Sequence, residues 1–323
     1  VSGIRPTGNL HLGNYFGAVK NFLRLQDESK CFFFIADWHS LTTHPHPGDV
    51  TANVRKILSE YLACGIDPEK AAIYVQSDVK EVLELYLYLN MNAYLGELQR
   101  VTSFKEKARK QPENVNAGLL TYPTLMAADI LIHRADKVPV GKDQEQNMEM
   151  ARKFARRFNT IYGVEFFPEP QSYSFGGDAI KVPGLDGSGK MGKSEGNAIY
   201  LIDDAATIRK KVMKAVTDSG PTQPNSEKPE AIANLFTMLK IVSSADTYDY
   251  FNEKYNACEI RYGDLKKQLA EDIVNFTSPI RERILAYAAD TEYMDKVARE
   301  GAEKARASAD KTIREVRKII GFN

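Results

Sequence analysis

Cys31-Phe32-Phe33-Phe34-Ile35-Ala36 runs directly into Asp37-Trp38-His39-Ser40. Six apolar residues without alternation have strand length, and an unbroken apolar strand is one covered on both faces, as in a parallel sheet with helices on either side. The polar tetrad then falls at the carboxyl end of that strand, where open α/β sheets present ligand-binding groups. On the upstream side, Val1–Gly3 reads as a strand tail feeding a turn. On the downstream side, Thr51–Cys64 carries Val54, Ile57, Leu58, Tyr61 and Leu62 at helical spacing and stops at Gly65, and Ala71–Val75 is a further short strand. Strand–helix–strand–helix–strand order predicts right-handed crossovers and an α/β sheet.

The upstream turn is Ser2-Gly3-Ile4-Arg5-Pro6-Thr7-Gly8-Asn9-Leu10-His11-Leu12-Gly13-Asn14-Tyr15. Gly8 and Gly13 permit backbone angles that other residues resist. Tyr15–Leu25 has helical spacing, with Asn14 expected at its N-cap. A glycine-bearing turn leading into a helix N-terminus suits phosphate, because unpaired N–H groups and the helix dipole face it. Read alone, the stretch is equally a tight surface turn before a capped helix.

Farther along, Lys80–Lys110 reads as helical, with Leu83, Leu87, Met91 and Tyr94 at helical spacing. Pro123 suits a first helical position, which places Tyr122, Met126 and Asp129 on one helix face. Asp129 sits among apolar neighbours and needs a partner if buried; the alternative is a half-exposed helix aspartate. Val138-Pro139-Val140 reads as a short strand, Gly141–Gln144 as a turn, Glu145–Tyr162 as a helix and Ser172–Asn197 as loop. Beyond Asp203 the text is helical, over Ala205–Val216, Pro229–Val242, Tyr248–Tyr255, Tyr262–Ala288 and Tyr293–Ile320. The expected division is an α/β part, 1–202, with a helical insertion at about 80–116, and a helical part, 203–292. The last helix, in 293–323, is expected to be free to pack back on the first part.

Charge is balanced, with 43 basic and 43 acidic residues, so any RNA contact must come from a local basic face. Arg152–Arg157 and Arg209–Lys211 are such faces, and solvated helix surfaces explain them as well. Cys31, Cys64 and Cys258 are widely spaced and odd in number, which argues for a reducing, cytoplasmic setting and against a disulfide or metal framework. His44-Pro45-His46 lacks further ligands and reads as plain loop, and Trp38 as a packing residue. No apolar run reaches membrane-spanning length, and no signal peptide is visible.

Gly187-Ser188-Gly189-Lys190-Met191-Gly192-Lys193-Ser194 places two lysines in a glycine-rich loop. Such an arm can close over a polyphosphate and stabilise growing charge, or it is a flexible solvated loop. Taken together, His11-Leu12-Gly13-Asn14 and Lys190-Met191-Gly192-Lys193-Ser194 resemble the two signature sequences of class I aminoacyl-tRNA synthetases. Ser2–Gly8, Ala117–Leu131 and Val138–Gln144 extend the resemblance to the bacterial tryptophanyl branch, along nearly the whole chain.

The resemblance implies a Rossmann-like nucleotide-binding domain with a parallel sheet, plus an all-helical C-terminal domain that reads the tRNA anticodon. It implies ATP-dependent activation of tryptophan and transfer to tRNA, with Mg²⁺ accompanying ATP and a homodimer whose interface lies near Leu83–Met91. Catalytic roles fall to His11, Asn14, Lys190, Lys193 and Ser194. ATP contacts fall to Arg5, Gly13, Asn14, Lys107, Gly141, Asp143 and Met191, with Asp143 meeting the ribose. Tryptophan contacts fall to His39, Tyr122, Met126, Asp129, Val138, Val140 and Gln144, with Asp129 accepting from the indole N–H. Departures from the family pattern are Asn14 for a histidine, Gly192 for a serine, Asn147 for a histidine, Arg5 for glutamine, and Trp38. A tyrosine-specific sister enzyme and an idle paralogue that binds amino acid or nucleic acid are the competing expectations.

Overall fold

The computed structural model describes residues 1–141, 144–173, 181–193 and 195–322. Strand β2 (Cys31–Ile35) is buried at all its positions and lies between β1 (Ser2–Ile4) and β3 (Ala71–Val75), parallel to both. Successive side chains leave opposite faces of a strand. Cys31, Phe33 and Ile35 therefore enter one core with Ile57, Tyr61 and Ile73, while Phe32 and Phe34 enter another with Ala72, Tyr74, Ile130 and Phe154. The uninterrupted apolar run is thus the signature of a sheet wedged between two cores, and the expected Rossmann-like parallel sheet is present. A second parallel pair joins β4 (Lys137–Pro139) to β5 (Gln171–Tyr173). Ser172 and Tyr173, expected in a loop, are strand residues; three residues are too few to show a period of two.

The first helix corrects another expectation. It begins at Leu12, and His11 is its cap. The Asn14 N–H donates to His11 Nδ1 at 3.3 Å, and the His11 N–H donates to Asn14 Oδ1 at 3.1 Å. Asn14 is thus the third helical residue, and each side chain satisfies an orphan donor of the other's backbone. The helix continues through a π-helical segment, Tyr15–Val19, into Lys20–Glu28. Gly8 has φ +103°, whereas Gly13 needs no unusual angle: a Cβ there would lie 2.9 Å from the His11 ring.

After a short helix, Asp37–Ser40, the long helix Pro47–Cys64 begins four residues before Thr51 with proline in its first turn and closes on Gly65 at φ +105°. Lys80–Lys110 is not one helix but Glu81–Met91, Leu95–Leu98 and Thr102–Lys110. Val82, Leu85 and Leu89 form its buried stripe, and Leu83, Leu87 and Met91 face outward. Helices Tyr122–Leu131 and Glu145–Tyr162 pack against each other.

In the helical half, Tyr262–Ala289 packs on both Pro47–Cys64 and Ala205–Met213, so one apolar core runs from the sheet into these helices. The last helix, Thr291–Ile320, crosses β3 closely. A Cβ at Gly301 would lie 1.8 Å from the Ile73 carbonyl oxygen, so only glycine allows this approach. Among the described residues, no helix is long and apolar enough to cross a membrane.

Candidate active site

The carboxyl ends of β1, β2 and β4 border a cavity of about 860 Å³. Arg5, His11 and Asn14 line it from the turn after β1, Lys193 from the lysine loop, and His39 from the segment after β2. Tyr122, Met126 and Asp129 line it from one helix face, with Val138, Val140, Gly141 and Gln144 completing the wall. Residues far apart in sequence thus meet as expected at the ends of parallel strands. Asp143 and Ser194 lie outside the described residues.

Four expected site residues do not line the cavity. Gly13 sits under the His11 ring, and Met191 is buried beside it. Lys107 lies over the Tyr122 ring, its Nζ 3.8 Å from the centroid. Lys190 is solvent-exposed.

The turn and the lysine loop are stitched together. Leu12 N–H donates to Ile199 O at 3.0 Å, and Leu201 N–H donates to Leu10 O at 2.9 Å. Lys193 Nζ donates to Gly8 O at 2.7 Å. Asn197, buried and unanticipated, fastens the loop from within: its Nδ2 donates to Asp186 Oδ1 at 2.9 Å and Ser188 Oγ at 3.0 Å, and its Oδ1 accepts from Gly192 N at 2.9 Å. Gly192, the departure from the expected serine, is therefore held through its own N–H.

Cations crowd this end. Burial, and then Arg5, lowers both Lys107 and Lys193 to about 8. Burial, then Lys193 and Lys190, lowers His11 to about 4, so the ring is neutral near pH 7 and offers a hydrogen bond rather than a charge. Such a site favours an incoming polyanion, which relieves the mutual repulsion of these groups.

The other end is built around Asp129, only 3% exposed. Its Oδ2 lies 2.7 Å from His39 Nε2, and its Oδ1 accepts from Gln76 Nε2 at 2.8 Å. Burial raises the Asp129 carboxyl, and these two partners oppose that rise. The His39 and Tyr122 rings lie 4.4 Å apart. Gln144 accepts from Asn147 Nδ2 at 2.9 Å, so the asparagine in the expected histidine position orients a cavity residue. Gln76 escaped the sequence reading although it directly follows β3, the same signal that marked His39 after β2. Glu60, which accepts from Leu10 N–H at 2.8 Å, escaped because it lies within a helix.

The chain matches the family model described as tRNA synthetases class I (W and Y) over residues 1–278. It is 78% identical to a tryptophan–tRNA ligase of Porphyromonas gingivalis, over 100% of this chain and 98% of that one. It is 39% identical to a tryptophan–tRNA ligase of Clostridium tetani, over 99% and 95% of the two chains. Among solved structures, tryptophanyl-tRNA synthetase of Campylobacter jejuni, complexed with ADP and tryptophan, superposes with a TM-score of 0.88 at 35% identity, covering 99% of both chains.

Proposed function

The chain belongs to the class I tRNA synthetases of the tryptophan and tyrosine group and acts as a tryptophan–tRNA ligase, and on that premise we propose how its own residues carry the two steps. The tyrosine-specific and idle-paralogue alternatives are not favoured, since full-length relatives at 39% and 78% identity are tryptophan ligases.

In the first step a carboxylate oxygen of tryptophan attacks the α-phosphorus of ATP. The new O–P bond forms as the bond to the bridging oxygen breaks, and pyrophosphate leaves with the electron pair. In the second, the terminal ribose hydroxyl of tRNA attacks the adenylate carbonyl and AMP leaves. Positioning and charge supply the catalysis, with no covalent protein intermediate.

His11 and Asn14 contact the phosphates from the capped turn. Lys193 and Lys190 stabilise the departing pyrophosphate, Ser194 holds the loop, and Lys107 reaches the phosphates. Arg5, Gly13, Gly141, Asp143 and Met191 shape the rest of the ATP site. At the other end Asp129 accepts the indole N–H, Met126, Val138 and Val140 pack on the ring, and Tyr122 and Gln144 hold the α-amino group beside His39. The observation that carries this assignment is one cavity with crowded cations at one end and a buried, doubly held carboxyl at the other. Among the described residues no three His, Cys, Asp or Glu side chains gather into a metal cage. Mg²⁺ is proposed as the companion ion of ATP, where it would offset phosphate charge.

Residues 1–202 form the catalytic part in this proposal, with the insertion at 80–116, and 203–292 read the tRNA anticodon. Leu83, Leu87 and Met91, from 41% to 74% exposed, support a homodimer through that helix. The free thiols Cys31, Cys64 and Cys258 support a reducing cytoplasmic setting. ATP–pyrophosphate exchange tests the lysine assignment. Tryptophan drives exchange in the native chain, and Lys193→Ala lowers kcat about 100-fold with the KM for tryptophan nearly unchanged. Full turnover in Lys193→Ala refutes the role given to that lysine.

A further inference from the structure

Glu60 lies on the Pro47–Cys64 helix directly beneath the catalytic turn and is 1% exposed. Its Oε2 accepts the Leu10 N–H at 2.8 Å, immediately before the His11 cap. Its Oε1 has no hydrogen-bond partner among the described residues. A buried carboxyl carries a desolvation cost that a leucine in the same place would avoid. Its position joins the two halves of the ATP end: Leu10 precedes the phosphate-facing helix, and Lys193 reaches Gly8 on the same turn.

We infer that Glu60 is a positioning residue of the adenylation step, fixing the opening turn through Leu10 N–H and serving as the buried acidic counter-group of Lys193. Burial pushes Glu60 up to about 8, against the opposing pull of the Leu10 N–H, Lys193 and Lys56. Glu60 in turn raises Lys193, which burial and Arg5 hold down to about 8. Among the described residues, Arg5 on the opening turn also acts on Lys193. Lys56, Cys64 and Arg55 lie on the same helix, Arg55 being paired with Asp295 at 3.4 Å. His11 lies on the turn, Lys190 on the loop, and Arg283 on the helix packed behind Cys64. The start of the last helix contributes Thr291 and Met294, which do not titrate in this range, to a cavity of about 290 Å³ beside Glu60.

As pH rises through about 8, the proton leaving Glu60 creates an anion that keeps Lys193 charged. Without that anion, Lys193 loses its proton at lower pH. The inference rests on the role proposed for Lys193, and two variants of the full chain test it by ATP–pyrophosphate exchange from pH 6 to 9.5. Glu60→Gln keeps an acceptor for Leu10 N–H but has no charge. Its alkaline limb of kcat/KM for ATP moves acidward by about half a pH unit or more, with kcat at pH 7 near native. Glu60→Leu, for which the adjoining cavity leaves room, removes the acceptor and lowers kcat about tenfold at unchanged KM for tryptophan.

An unmoved alkaline limb in Glu60→Gln, or a Glu60→Leu kcat within twofold of native, overturns the proposal. If Glu60→Leu does not fold, the glutamine profile alone decides. Undiminished turnover in Lys193→Ala removes the underlying lysine role, whereas a native-like Glu60→Gln profile beside a crippled Lys193→Ala removes only the part given to Glu60.

Discussion

Replacing Asp129 with alanine tests the proposed tryptophan end of the cavity most directly. Both carboxyl oxygens are engaged, one 2.7 Å from His39 Nε2 and one 2.8 Å from Gln76 Nε2. Hydrogen bonds to a charged group contribute about 1.5–3 kcal/mol each, and truncation strands two buried partners. The expected stability loss is therefore about 3–5 kcal/mol. A substrate N–H that loses its buried acceptor costs a comparable amount in the transition state, so kcat/KM for tryptophan falls about 1000-fold, roughly 4 kcal/mol. Asp129→Asn keeps the shape and serves as the control for folding. The deciding measurement is exchange with tryptophan against an analogue whose ring N–H is replaced by sulfur. The native chain prefers tryptophan by about 1000-fold or more, and in Asp129→Ala the preference shrinks to within about tenfold, with the KM for ATP nearly unchanged. A variant that loses rate but keeps the full preference refutes the indole–Asp129 contact.

Gly301→Ala adds a methyl group 1.8 Å from the Ile73 carbonyl oxygen, forcing the last helix off β3. The strain outweighs the gain of about 1 kcal/mol in helix propensity, for a net loss of about 2 kcal/mol; an unchanged or raised Tm contradicts the close crossing. His133 donates or accepts between Tyr74 Oη at 3.0 Å and Ser308 Oγ at 3.1 Å, and burial lowers its pKa to about 3. The unfolded chain takes up a proton near pH 6.5 that the folded ring refuses, so this residue's contribution to stability falls as pH drops from about 6.5 toward about 3. His133→Gln cannot take up that proton, and its Tm declines less between pH 7 and pH 5 than the native Tm does; parallel curves refute the assignment.

Periodicity carried far where each element buries a full face. The unbroken apolar β2, the amphipathic Glu145–Tyr162 helix and the later helices could be read within a few residues of their ends. The paired signals of the glycine turn and the lysine loop also picked out two segments that meet in the fold, through Lys193 and Gly8. What stayed hidden depended on partners distant in sequence. Lys193 meets the opening turn because its Nζ, 185 residues away, donates to Gly8 O at 2.7 Å. Gln76 matters because Asp129, 53 residues away, comes within 2.8 Å. Glu60 carries no signal within its own helix, and only the fold sets the Leu10 N–H, 50 residues away, against it.

Sequence by itself determined the α/β order, the helical second half, the glycine-bearing turn that leads into a helix and the two-lysine loop. Those follow from local spacing, because hydrophobic period and turn chemistry are properties of a few consecutive residues. Tertiary structure alone decided that Lys193 is the loop lysine lining the cavity while Lys190 is exposed, and that Asp129 is doubly held. It also decided that a buried glutamate underlies the opening turn. Burial and charge pairing set those roles, and both exist only once distant segments share a low-dielectric interior.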